Sequence, residues 1–266
     1  MAAADQLTLA GAYPHWRLVG PVAALRLAII AIMLGCWQLL AVSGLLYQDV
    51  VPSLPAIAGA LYDLLSDSAF YLHLAVTFDE IGWALLIGGL SGILVGMALG
   101  ASPFLARAYE AFLYYFGPTP KIIFLPVMIM WFGVGPGSKI AMGALSCFFP
   151  IALNVAGGMR AIDPVLIRVG RSFRAARWQM ATKVYLPAMR HPLINGVRIG
   201  LGVALIGTLL AETKLSNRGL GFLVIQAYNL FNMPRMYALL IVLFVLSIGA
   251  NALIGRLGGL NDIKRL

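Results

Sequence analysis

The stretch Arg160–Pro192 reads RAIDPVLIRVGRSFRAARWQMATKVYLPAMRHP. Eight bases fall between Arg160 and Arg198: Arg160, Arg168, Arg171, Arg174, Arg177, Lys183, Arg190 and Arg198. Asp163 is the single acid among them, and long apolar runs flank the stretch on both sides. Lys and Arg accumulate in short loops that are not translocated, which places this island on the cytoplasmic face of a membrane. It is also patterned as structure. Asp163 is a good N-cap and Pro164 a good first helical residue, so a helix starts there. Leu166, Val169 and Phe173 share one face at i, i+3, i+7 spacing, and Arg168, Arg171 and Arg174 cover the other. A second helical piece is expected from about Ala176 to Tyr185, ended by Pro187. Two readings stand at this point. Either the arginines are a topology signal at the lipid headgroups, or the hairpin docks a partner.

Composition sets the solvent. The chain has 266 residues, 61% of them apolar and 11% charged. A soluble domain carries about 25% charge and 45–50% apolar residues, so this is an integral membrane protein. The net charge of +9 does not indicate nucleic-acid binding, because the bases are confined to loops between apolar spans. Cys36 and Cys147 lie within apolar runs and read as small hydrophobes rather than disulfide or metal partners. There is no phosphate-binding loop, no metal-ligand spacing and no nucleophile–base pair. His15, His73 and His191 are far apart and assigned to loops, and the single GLG of Gly219–Gly221 is no nucleotide site.

Outward from the island, six spans are expected, each close to the roughly 20 residues that a bilayer core needs. They run over about 27–46, 81–100, 111–131, 140–159, 193–211 and 236–254, with 160–192 as one large cytoplasmic loop and both termini inside. The N-terminal run is too long for a signal-peptide core and is retained as the first span. Residues 48–80 hold Asp49, Asp63, Asp67, Asp79 and Glu80 and no base, and are placed outside, with a short surface helix over about 55–65. Gly88, Gly92, Gly96 and Gly100 leave one face of the second span bare, which lets another helix approach closely. Packing within the subunit is the first reading of that face and a dimer contact the second.

The third span is broken: EAFLYYFGPTPKIIFLPVMIMWFGVG carries Gly117, Pro118, Pro120 and Pro126 around Lys121. Irregular backbone at membrane depth is tolerated where it is buried or lines a wet cavity, and a lysine there must face protein or water. Pro118, Pro120 and Lys121 are therefore candidates for the transport path. The alternative is a bent helix with Lys121 snorkelling to an interface. A further outer loop, ETKLSNRGLGFLVIQAYNLFNMPR, precedes the sixth span and contains a short amphipathic helix.

The basic stretch resembles the EAA loop of ABC importer permeases. That pattern is Glu-Ala-Ala, three residues, Gly, then about nine residues to Ile-x-Leu-Pro; the ending here is Val184, Tyr185, Leu186, Pro187. SFRAARWQMATKVYLP, PTPKIIFLPVMIMWFGVGPGSKI and ALIGTLLAET with GLGFLV are similar to the nitrate/sulfonate/taurine-type importers, so the resemblance spans about residues 78–255. Arg168 stands where Glu is usual and Arg174 where Gly is usual. An Arg at the Gly position must take ordinary helical angles or carry about 1 kcal/mol of strain.

The resemblance implies an all-α fold of six transmembrane helices, the type I ABC importer (MetI-like) permease fold. It implies partners: a second permease copy, two ABC ATPase subunits and a periplasmic or lipid-anchored substrate-binding protein, within the bilayer of a bacterial inner membrane. No cofactor is expected on this chain, with ATP and Mg on the partner subunits. The coupling residues it implies are Asp163, Leu166, Arg168, Val169, Gly170, Arg171, Phe173, Arg174, Ala175, Arg177, Trp178, Leu186 and Pro187. The solute would be a small anion such as a sulfonate, taurine or nitrate, or else a thiamine precursor. The rival function, a secondary transporter or channel, needs an internal repeat and ionisable residues deep in the spans. No repeat is clear, and Lys121 is the sole embedded candidate.

Overall fold

The computed structural model describes residues 16–44, 50–214 and 216–257, the first six of these by backbone alone, and every regular element among them is helical. Residues 1–15 with His15, Asp49, and the basic C-terminal Asn261–Leu266 lie outside the described residues. Two units are distinguished, Met1–Ala60 and Leu61–Leu266. In the first, α1 (Trp16–Val42) leads to α2 (Leu54–Ser66), which ends in the second unit. Gln38 Oε1 accepts from the Leu54 N–H at 2.9 Å, and the Trp37 indole N–H donates to Pro52 O at 3.1 Å. The start of α2 is thereby satisfied by side-chain chemistry from α1.

The second unit opens with α3 (Ser68–Ala101). It is 34 residues long and begins well before the expected Ile81. Asp67 caps it, accepting from the Ala69 N–H at 2.9 Å, and no proline interrupts it before Pro103. Asp79 and Glu80 therefore sit within a continuous helix rather than in a loop. Ser102 then caps α4 (Pro103–Phe116), with Pro103 in its first turn.

α4 and the following pieces, a 3₁₀ turn Lys121–Phe124 and α5 (Leu125–Phe132), are bent by 95° at Gly117–Pro120. The expected third span over 111–131 is thus two arms. The cause is the pair Pro118 and Pro120, whose missing donors free the carbonyls of the preceding turn.

Next comes α6 (Pro136–Arg160), followed by α7 (Pro164–Ser172), α8 (Arg177–Gln179), a π-helical turn Met180–Tyr185 and α9 (Leu186–Ala188). The chain closes with α10 (Arg190–Lys214), α11 (Leu220–Asn229) and α12 (Met233–Leu257). Among the described residues, five helices are long and apolar enough to cross a membrane, and six if the bent pair counts as one span.

The core is α3 on α6 on α10. The glycine stripe of α3 faces α6. A Cβ added at Gly92 would lie 2.9 Å from Phe148 O, and one at Gly96 would lie 2.6 Å from Ala152 O. At Gly88 and Gly100 it would collide with Ala144 and Met159. This is packing within the subunit, with helix backbones in near contact. Cys147, Ile151 and Val155 on α6 are fully buried at its centre.

Candidate functional site

The amphipathic hairpin forms as a capped, packed element. Asp163 Oδ1 accepts from the Val165 N–H at 2.8 Å, and Pro164 occupies the first turn of α7. At the far end, the Ala175 N–H donates to Gly170 O and the Phe173 N–H to Val169 O. The turn between the arms needs a left-handed residue, and Arg174 supplies it at φ 50°. Of the two options open to that arginine, the chain takes the strained one. We expect Arg174→Gly to raise stability by about 1 kcal/mol, because glycine reaches positive φ without a Cβ clash. A thermal-shift measurement in detergent checks this, and a lowered melting temperature would contradict it.

The second arm differs from expectation at its end. Pro187 does not stop it: the helical path runs through Met180–Tyr185 into Leu186–Ala188 and turns only at Met189. Pro187 lies in the first turn of α9, where a missing N–H is cheap. The Leu186 N–H reaches back to Ala181 O, five residues earlier, which widens the turn. The arms meet closely, since a Cβ on Gly170 would fall 2.6 Å from Met180 Sδ. Ile167, Tyr185 and Leu186 pack on Met159, Ile162 and Met189, the same core that holds Cys147 and Ile151. The hairpin is thus continuous with the helix bundle.

Its other face is uncovered. Val165, Leu166 and Val169 are about half exposed, Phe173 is 83% exposed and Trp178 76%. Arg168, Arg171, Arg174, Arg177 and Ala176 are exposed around them, and Ala175 is partly covered. Arg160, at the base, makes a bidentate ion pair with Glu110 of α4, with Nη1–Oε2 at 2.7 Å and Nη2–Oε1 at 2.6 Å. Such a fork-on-fork pair fixes orientation as well as charge.

At the break, the Lys121 ammonium donates to Gly117 O and Thr119 O, the carbonyls just before the two prolines. It stands 5.1 Å from the Phe149 ring centroid. Lys121 is half-buried and, with the exposed Pro118 and Pro120, lines a cavity of about 310 Å³ shared with Ser146, Gly207 and Leu210.

A third set of polar residues escaped the sequence reading. Lys121 is not the sole ionisable residue within the spans. Glu80 of α3, Lys139 of α6 and Glu212 of α10 are 2%, 3% and 0% exposed. They cluster at the end of the bundle opposite the hairpin, since Lys139 opens the helix that Arg160 closes. Glu212 Oε1 accepts from Thr77 at 2.7 Å and its Oε2 from the Gly221 N–H; the Leu220 N–H donates to Thr77 Oγ1 at 2.8 Å. A buried carboxyl thus serves the orphan donors at the start of α11.

The GLG of Gly219–Gly221 exists for this contact. A Cβ on Gly219, whose φ is +100°, would strike the Glu212 carboxyl, and one on Gly221 would lie 2.6 Å from Leu209 O. His73 is no loop residue either: in α3, it accepts from the Gly219 N–H at 3.1 Å and stacks on Phe222. His191 lies in α10. The available signal was an acid or base within a long apolar helix, which is costly in lipid unless it has partners.

Among the described residues, no group of His, Cys, Asp and Glu could hold a metal ion. A helical bundle with a broken span, an adjoining cavity and a docking-type hairpin defines a membrane transport protein. Residues 88–259 match the family described as "binding-protein-dependent transport system inner membrane component". The chain belongs to that family and is the permease, the membrane-spanning subunit, of an ABC importer system. It is 33% identical over 254 residues to the taurine transport system permease protein of Escherichia coli K12, covering 91% of both chains. It is 27% identical to a putative aliphatic sulfonates transport permease protein of Bacillus subtilis 168, over 82% of this chain and 79% of the other. The inward-facing MetNI methionine ABC transporter has a chain of the same fold, with TM-score 0.60 and 24% identity, covering 73% of this chain and 94% of that one.

Proposed function

We propose that two copies of this chain form the membrane path of an ATP-driven importer for a small organic or inorganic anion, a sulfonate, taurine or nitrate. Two ABC ATPase subunits hydrolyse ATP on the cytoplasmic side, and an external binding protein delivers the solute from the other. Both termini lie in the cytoplasm, as the basic hairpin requires. The supporting observation is the hairpin: its inner face is part of the bundle core, while Leu166, Val169, Phe173 and Trp178 present apolar surface outward. A partner groove that receives this face moves the bundle as a rigid body. ATP and Mg belong to the partner subunits.

The path runs past the break, where Lys121, Pro118 and Pro120 border the cavity. A cation there raises the local concentration of anions. Lys121→Ala is expected to lower anion uptake by about tenfold or more in proteoliposomes while ATPase activity persists. Unchanged uptake would remove Lys121 from the path. The assembly itself is tested by purifying the permease from its native membrane in mild detergent. Co-purification of an ABC ATPase in equal amount supports the importer. Permease that emerges alone and moves solute in liposomes without ATP would replace it with a secondary transporter.

A further inference from the structure

We propose that a pocket at the end of the bundle opposite the hairpin binds a small zwitterion, its ammonium on Glu80 and its anionic group between Arg218 and the N-terminus of α6. The inference rests on the importer reading and narrows its solute from anions in general to amino-acid-like anions. The pocket has a volume of about 400 Å³ and is walled by Asp79 and Glu80 of α3, Gly135, Pro136 and Lys139 at the start of α6, and Ser216 to Arg218 before α11.

Three observations carry it. First, Glu80 is 2% exposed, and its Oε2 has no hydrogen-bond partner among the described residues although it lines this space. A buried acceptor left without a donor is costly, and a site built around one is completed by a donor from outside. Second, the charges do not balance. Glu80, Glu212 and Lys139 are all buried in this cluster, two carboxyls against one ammonium.

The Lys139 ammonium already donates to Val134 O and Gly135 O. A ligand ammonium on Glu80 would balance the charge. Third, the opposite wall is positive. α6 is a 25-residue helix whose first N–H groups open beside Gly135 and Pro136, and the exposed Arg218 lines the same pocket. Free helix N-terminal donors with a guanidinium suit a sulfonate or carboxylate. A simple anion such as nitrate would leave Glu80 unanswered, and a simple cation would leave Arg218 so.

The test uses the permease with its ATPase in lipid nanodiscs, without the binding protein, and radiolabelled taurine as the probe. Saturable binding is expected, with ethanesulfonate, which lacks the ammonium, and ethylamine, which lacks the anion, each displacing it at least about tenfold less well than taurine. Glu80→Gln and Arg218→Gln are each expected to weaken taurine binding by about tenfold or more. Arg218 is an exposed loop side chain, so its variant keeps the buried cluster intact. Displacement by ethanesulfonate as effective as by taurine, wild-type affinity in Arg218→Gln, or no taurine binding at all would overturn the proposal. ATP-driven, binding-protein-dependent uptake by the wild-type complex is measured alongside. If taurine uptake persists while the pocket stays empty, or only nitrate or ethanesulfonate is taken up, the pocket proposal alone falls; if none of these solutes is taken up, the importer reading falls with it.

Discussion

Gly96→Val should leave almost no folded protein. The substitution places a branched side chain where a Cβ alone already comes within 2.6 Å of Ala152 O and 2.7 Å of Val155 Cβ. The first obstacle is helix backbone, which cannot rotate away as a long side chain can. Overpacking a close-packed site costs about 1–3 kcal/mol and more where backbone must shift, against a total stability of about 5–15 kcal/mol. Here the shift would propagate, because Gly88, Gly92 and Gly100 make the same contact along α6. Separating the helices at one point therefore loosens all four.

In lipid there is no hydrophobic drive to hold them together once the fit is lost. Size-exclusion chromatography in mild detergent should show aggregate in place of the monodisperse peak, and any residual folded fraction should melt far below wild type. Gly82→Ala and Gly202→Ala are the controls. Neither Cβ would meet anything within 4 Å, and alanine is favoured over glycine within a helix by about 1 kcal/mol. A Gly96→Val protein that melts with the controls would mean that α3 and α6 are not in near-backbone contact.

That glycine stripe was legible as a close-approach face, because spacing of four along a helix is a local pattern. Its partner was not, since nothing in the sequence of α3 names α6. The same division runs through the hairpin. Asp163–Pro164 announces a helix start through capping chemistry, and the structure begins α7 there. Pro187 announces a stop by the same kind of rule, yet the helical path continues, because a wide turn puts the proline where its missing donor is not needed.

The left-handed Arg174 was foreseeable only as a choice between two costs; the closing bond from the Ala175 N–H to Gly170 O selects one. Least legible was the buried cluster. An acidic stretch without Lys or Arg places Asp79 and Glu80 outside, ahead of a span that starts at Ile81. Glu80 is buried with Lys139 and Glu212, both more than fifty residues away, which the fold alone brings together, while Asp79 stays exposed.

Phe173→Asp and Leu166→Asp should each abolish productive coupling: ATP hydrolysis continues, and uptake falls by about tenfold or more. Phe173 is 83% exposed and Leu166 48%, so in the isolated chain neither holds up the core. Exposed substitutions of this kind change stability by about 0.5 kcal/mol or less, and insertion and yield should be normal. In a complex the same side chains would be buried anchors. An aromatic anchor seated in a desolvated pocket is worth about 2–4 kcal/mol, and an Asp in its place adds an unpaired buried charge. The inner face of the hairpin, Ile167, Tyr185 and Leu186, is untouched by either change. A loss of uptake would then be a loss of docking and not of fold.

Tyr185→Asp makes the contrast. It strikes the core side and should lower yield and melting temperature together, because it buries a charge against Met159 and Met189. The measurement is uptake and ATPase activity in the same proteoliposomes, with the ATPase retained on the permease as a third readout. Full uptake in both Phe173→Asp and Leu166→Asp would take the outward apolar face out of the transmission path. It would leave the arginines to their simpler part as a topology signal at the headgroups.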